Sequence, residues 1–194
     1  TFKKKGNIMV GYVSKSKRWE SRPAADPAEL WAGIRAGDAE ALEQLFCLFY
    51  SPLFSYGCRL VAHPAPVKDA IQELFFTLWN KRRHINEAHS VKSYLFHSLR
   101  RIILRSLRRQ QSRADRNRNY VELFGEPLDN VEELMVHFET RREQKQQLAR
   151  ALGALSSRQR ETLFLKFYEG LSNSEIACVM GIRPQSVYNH VSTA

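Results

Sequence analysis

The sequence predicts an all-α protein of two small helical domains joined by a linker, and three observations carry that prediction. Apolar residues recur at helical spacing along most of the chain, and no run alternates apolar with polar residues as a strand does. Ser, Asp and Pro stand where the periodic segments begin, and glycines stand where several of them end. Residues 111–127, rich in Arg, Asn and Gln and closed by Gly125-Glu126-Pro127, have no apolar periodicity and separate two helical parts. The expected units are 24–110 and 140–194, with a linker at 111–139 and a basic extension at 1–23.

The first helix is expected from Asp26-Pro27-Ala28-Glu29, which supplies an N-cap, a proline suited to the first turn and an acid three residues on. It runs to about Arg35. Gly37-Asp38 stops it and opens a second helix, from Ala39 to about Ala62, with Pro52 as an expected kink. That helix is rich in Leu, Phe, Tyr and Cys, a breadth of apolar surface that marks it as core.

A third helix is expected from about Val67 to Arg83. Val67, Ala70, Ile71, Leu74 and Leu78 share one face, the buried one. The opposite face gathers Asp69, Gln72, Glu73, Phe76 and Asn80, with Trp79 at its edge. Large aromatics among polar groups, on a face turned away from the core, suit a protein-binding surface. Packing beneath another element of the same chain is the alternative. A fourth helix is expected from about Ser90 to Gln110, with Val91, Leu95, Leu99, Ile102 and Ile103 inward. Tyr94, His97, Arg101, Arg105 and Arg108 form a stripe on its other side. Guanidinium groups pair with phosphates and aromatic faces stack on unpaired bases, so this stripe suits a nucleic-acid strand.

After the linker, a helix is expected from about Asn130 to Gly153, and another in "LSSRQRETLFLKFYEG" capped by Ser156 or Ser157. Ser172-Asn173-Ser174-Glu175 reads as a capping box ahead of Ile176, Val179 and Met180. Gly181 ends that helix and Ile182 plugs the turn. Pro184 starts a last helix, with Val187 and Val191 inward and Gln185, Ser186, Tyr188, Asn189 and His190 outward. Helix, glycine turn and polar second helix together make a helix-turn-helix, whose second helix can enter the major groove.

The chain carries 30 Lys and Arg against 20 Asp and Glu, a net charge of +10. Residues 81–118 hold twelve of the bases and only two acids, Glu87 and Asp115, so the whole excess sits there. Residues 121–139 hold six acids and no base. Blocks of one sign point to regions with different surroundings, and the basic one to a polyanionic partner. Cys47, Cys58 and Cys178 are odd in number and set among apolar residues, which predicts reduced core thiols and a cytoplasmic protein. No Cys/His cluster has metal-ligand spacing, and no metal or cofactor is expected. No apolar run suits a signal peptide or a membrane span.

Two long stretches carry a family resemblance. "YSPLFSYGCRLVAHPAPVKDAIQELFFTLWNKR" resembles region 2 of the bacterial RNA polymerase sigma-70 family, and "ALGALSSRQRETLFLKFYEGLSNSEIACVMGIRPQSVYNHVSTA" resembles its region 4. Their order and separation are similar to those of the extracytoplasmic-function (ECF) group. The resemblance covers about residues 28–194. It implies a region 2 bundle linked to a region 4 helix-turn-helix, core RNA polymerase and promoter DNA as partners, and control by an anti-sigma factor. It implies no catalytic residue. Asp69, Gln72 and Glu73, beside Phe76 and Trp79, match the positions that bind the β′ clamp, and region 4 implies contact with the β flap. The stripe of Tyr94, His97, Arg101, Arg105 and Arg108 falls where the family grips the −10 element and the melted non-template strand. Asn86, Glu87 and Ser90 lie in the loop that captures a flipped −10 base. Arg183, Gln185, Ser186, Asn189 and His190 fall where region 4 reads the −35 element. The acidic stretch matches either a linker lying in the polymerase channel or a disordered tether.

Arg101 stands where many members have asparagine, which changes the expected base preference. Arg183 is a poor N-cap, residues 1–22 match nothing in the family pattern, and the natural chain is expected to continue past Ala194. Two rival readings compete. A free-standing helix-turn-helix regulator leaves the acidic and aromatic face of the third helix unexplained. A metal-dependent nuclease, with Asp69 and Glu73 one turn apart, lacks a third carboxylate, a His pair or a phosphate loop.

Overall fold

The computed structural model describes residues 26–61, 63–114 and 153–194 of the 194-residue chain. The expected helix over 130–153, the acidic stretch and the basic extension fall outside the described residues, apart from Gly153. Seven α-helices follow in order among the described residues, which contain no strand: α1 (Pro27–Ala36), α2 (Ala39–Leu60), α3 (Pro64–Asn80), α4 (Val91–Ala114), α5 (Ser157–Leu163), α6 (Asn173–Met180) and α7 (Pro184–Ser192). A π-helical turn, Phe164–Tyr168, continues α5.

The caps explain where helices begin. Asp26 accepts from the Ala28 amide at 3.0 Å and Asp38 from the Glu40 amide at 2.8 Å, each satisfying a donor that the first turn leaves without a partner. Gly37 ends α1 at a φ of 96°, a left-handed conformation that a side chain would strain. Helix α3 starts three residues earlier than its apolar pattern suggests, because Pro64 at the first position is tolerated where the amide has no partner anyway. It stops at Asn80, short of the expected Arg83. Helix α4 reaches Ala114, four residues past the expected end.

Helices α1 to α4 enclose a core built from Leu30, Trp31, Ile34, Leu45, Leu53, Tyr56, Ile71, Phe75, Leu95 and Leu99. Each fully buried large side chain contributes about 1.5–3 kcal/mol, with chain entropy left aside. Every inward position expected on α3 is buried, and Phe75 joins them. On α4, Ile102 is only half-buried while Phe96 is fully buried.

The thiol expectation fails. Cys47 and Cys178 are exposed and Cys58 is half-buried. The first two occupy outward positions on otherwise apolar helices, so their apolar sequence neighbours were a misleading guide. All three are free. Partial burial, with Glu43 nearby, still pushes the Cys47 thiol up from its ordinary value.

The crossing of α2 on α3 depends on Gly57. A Cβ placed there would lie 2.4 Å from Val67 Cγ1, and Val67 is itself fully buried. Inside a helix Gly→Ala ordinarily stabilises by about 1 kcal/mol. Overpacking a full core costs about 1–3 kcal/mol. Gly57→Ala is therefore expected to destabilise the chain by about 1–2 kcal/mol in urea denaturation followed by circular dichroism, and a stabilised variant would show that the crossing has slack.

Candidate nucleic-acid and partner interface

Helix α3 presents Asp69, Gln72, Glu73 and Phe76 to solvent, with Phe76 half exposed. Trp79 is half-buried, and the Arg82 guanidinium lies 4.3 Å from its ring centre. Periodicity placed all five correctly, including Trp79 at the edge.

The stripe on α4 is also present. Arg101, Arg105 and Arg108 are exposed, Tyr94 is 38% exposed and His97 is half-buried. Arg105 makes an ion pair with Glu73, so the α3 face and the α4 stripe meet at one point. Both partners are about half exposed, and a pair so wet adds little stability.

The loop before α4 is held at three points. The Trp31 indole donates to the Asn86 carbonyl at 3.1 Å and packs edge-on against the Tyr94 ring at 4.9 Å. Glu87 is bridged by Arg35 at 3.3 Å, with its own side chain 90% exposed. Ser90 Oγ accepts from the Ser93 amide at 3.2 Å and so caps α4.

The helix-turn-helix forms as its sequence implies. Ser172 and Glu175 close a reciprocal capping box on α6, and Gly181 turns the chain at a φ of 65°. On α7, Val187 is buried while Arg183, Gln185, Tyr188 and Asn189 are exposed. Gln185 Nε2 donates to Asn189 Oδ1 at 3.1 Å, which aligns two amide side chains along the outer face. Ser186 is half-buried. His190 departs from its expected outward position: it is half-buried, with Nδ1 3.2 Å from Thr162 Oγ1 on α5.

Sequence reasoning gave no hint of the contact between the two helical units. Helix α6 lies against α4, and the buried residues of both units form one continuous cluster. Tyr56 Oη donates to Glu161 Oε1 at 2.6 Å, and Arg100 Nε donates to the same oxygen at 2.8 Å, with a longer bond of 3.4 Å to Oε2. Lys92 pairs with the buried Glu169 at 2.8 Å. His97 Nδ1 lies 2.8 Å from the Cys178 carbonyl, and Ser93 Oγ donates to the Glu175 carbonyl at 3.4 Å. Burial and the Glu161 carboxylate raise the Tyr56 pKa well above its ordinary value. For Arg100, burial acts downward but the bonds and charge of Glu161 outweigh it, and the net shift is upward. Beside these contacts, a cleft of about 360 Å³ runs between the stripe residues His97, Arg101, Arg105 and Arg108 and the α6–α7 turn.

A helical unit with a cationic stripe and an exposed acidic and aromatic face, joined to a helix-turn-helix, fits a DNA-binding protein that works on a larger partner. The sequence model of Sigma-70 region 2 matches residues 45–113, and that of Sigma-70 region 4 matches residues 145–194. The chain belongs to the sigma-70 family, in its extracytoplasmic-function group. It is 25% identical over 168 residues to the ECF RNA polymerase sigma factor SigL of Mycobacterium tuberculosis, across 84% of this chain and 89% of that protein. Its fold is similar to the sigma factor RpoE solved with the anti-sigma factor NepR from Bartonella quintana, at a TM-score of 0.59 and 21% identity, covering 80% of this chain and 92% of that one. It is also similar to CnrH solved with the cytosolic domain of CnrY, at a TM-score of 0.56 and 19% identity, covering 87% and 92%. Family membership makes it a sigma factor, which binds core RNA polymerase and recognises promoter DNA to start transcription.

The capping box adds a pH dependence. Burial would raise the Glu175 pKa, but hydrogen bonds from Ser90 and Ser172, with Lys92 nearby, hold it below its ordinary value of 4.5. A carboxylate with a depressed folded pKa adds stability that is present above its unfolded pKa and lost as pH falls through the folded one. Glu175→Gln keeps an acceptor for the box without the charge. In urea denaturation from about pH 6 down to about pH 3, its stability is expected to fall less than that of the unaltered chain below about pH 4.5, and parallel curves would remove Glu175 from the acid response.

Proposed function

We propose that the sigma factor function divides among these surfaces as follows. Asp69, Gln72, Glu73, Phe76 and Trp79 on α3 dock on the β′ clamp, and the helix-turn-helix unit docks on the β flap. Tyr94, His97, Arg101, Arg105 and Arg108 on α4 hold the melted −10 strand. Asn86, Glu87 and Ser90 border the pocket for a flipped base. Arg183, Gln185, Ser186, Asn189 and His190 on α7 and its cap face the −35 element, where Gln and Asn suit adenine edges. The chain performs no chemistry itself and acts in the cytoplasm, under an anti-sigma factor of the kind present in the two similar structures.

One observation carries this division best. The acidic and aromatic face of α3 and the cationic stripe of α4 are separate exposed surfaces that meet at the Glu73–Arg105 pair. Such an arrangement suits a subunit that presents one face to protein and the next to DNA. A regulator acting without polymerase has no use for the first face.

Run-off transcription with core polymerase on genomic promoters tests the whole reading: initiation at discrete sites sharing spaced −35 and −10 elements supports it, and an absence of initiation from the full-length natural chain overturns it. Asp69→Ala with Gln72→Ala is expected to weaken core binding by about tenfold or more without loss of helicity. Unchanged affinity would remove this face from the clamp contact. Arg101→Ala with Arg108→Ala is expected to spare core binding and to reduce the slope of log affinity against log salt by about 1.4 on single-stranded −10 DNA. An unaltered slope would remove these two arginines from the phosphate contacts.

A further inference from the structure

Helix α1 lies ahead of residue 45, where the match to Sigma-70 region 2 begins, and none of the surfaces assigned above uses it. Yet α1 backs the loop of residues 81–90. Trp31 is 3% exposed, and its indole Nε1–H donates to the Asn86 carbonyl at 3.1 Å. The same side chain meets Tyr94 edge-on, with ring centres 4.9 Å apart and planes at 67°. Arg35, one turn further along α1, reaches Glu87 at 3.3 Å. One buried side chain therefore touches both the loop and the aromatic end of the α4 stripe.

Each contact restricts a group that its other neighbours leave some freedom. In the loop, Ile85 and Ala88 pack against the core, while Asn86 and Glu87 between them are exposed. A peptide between two apolar anchors can still rotate, and the bond from Trp31 selects the rotation in which the Asn86 carbonyl meets the indole. Water cannot readily replace that bond, because its donor belongs to a buried ring. Tyr94 is 38% exposed, so part of its ring stays in water while Trp31 holds it. An aromatic ring fixed in this way and still accessible suits stacking on an unpaired base.

We propose that Trp31 is a positioning residue for base capture: it holds the Asn86 peptide and the Tyr94 ring in one arrangement before DNA arrives, so that an unpaired −10 base meets a ring and a loop already in place. The proposal rests on the reading of Asn86, Glu87, Ser90 and Tyr94 as −10 contacts. Trp31 is buried and acts through the groups it holds. Groups fixed in advance lose less freedom when a ligand binds, which for one or two of them amounts to about threefold to tenfold in affinity.

Holoenzyme binding to single-stranded −10 oligonucleotides, taken from the promoters that run-off transcription identifies and made abasic at each position in turn, tests this role. In the unaltered holoenzyme one position is expected to carry the largest penalty, that of the captured base. Trp31→Phe keeps an apolar ring in the core and removes the N–H. It is expected to weaken binding of the intact oligonucleotide by about threefold to tenfold, and to shrink the penalty at the captured position while the others stay the same. Ile34→Val, fully buried on the same helix, controls for a softened bundle and is expected to leave the profile unchanged. A Trp31→Phe loss spread evenly over all positions overturns the proposal, as does a changed profile that Ile34→Val reproduces. Should Trp31→Phe fail to fold, hydrogen exchange of the Trp31 indole N–H in the unaltered chain, followed by NMR, takes its place. Protection is expected there, and exchange as fast as that of a free indole overturns the proposal. An unaltered holoenzyme with no position-specific penalty overturns the base-capture reading itself, and the role of Trp31 with it.

Discussion

A carboxylate taken out of water must be paired, and Glu161 is paired with the other half of the molecule. It comes from α5, in the helix-turn-helix unit, and its partners Tyr56 and Arg100 come from α2 and α4 of the first bundle. The relative placement of α5, α6 and α7 follows from that constraint. With Glu161 fixed, the ring of Phe164 stacks on Tyr56 and lies beneath the Arg59 guanidinium, 4.2 Å from its centre. The chain then widens into the π turn, where the Glu169 amide reaches back to the Phe164 carbonyl, and this brings the Glu169 carboxylate to Lys92. Much of the attraction between polar groups in so dry a contact offsets their lost hydration, so it adds less net stability than its short distances suggest.

The helices and their faces were legible in the sequence because local rules determine them. Capping residues mark the starts of α1, α2, α5 and α6. The 3.6-residue period identified the buried positions of α3, and the polar residues opposite them remained outside. Apolar periodicity placed α4, and segregated charge singled out its outer side. These signals need only neighbours within one or two turns, and tertiary packing did not overrule them.

The remainder depended on partners far along the chain. Glu161 sits in "SSRQRETL", where it reads as an ordinary solvated acid of a short helix, and its partners lie 61 and 105 positions away. Cys47 and Cys178 were misplaced because sequence neighbours stand in poorly for helix faces. His190 follows the polar pattern of α7 yet turns toward Thr162 on α5, a partner 28 positions away. The early start of α3 was hidden by two prolines that resemble loop residues unless position within the first turn is considered.

Helix α4 packs against both helical units and still turns a row of arginines outward. That row is cationic and partly aromatic, and such a face attracts any polyanion. The second unit engages Ser93, His97 and Arg100 through Glu161 and backbone carbonyls, and it leaves Tyr94, Arg101, Arg105 and Arg108 exposed. Asp69, Gln72 and Phe76 on α3 remain exposed throughout. Under the proposed division of surfaces, a partner docked on α3 holds the cationic side of α4 beside the DNA, and the affinity of the first contact makes up for what a screened charge contact lacks alone.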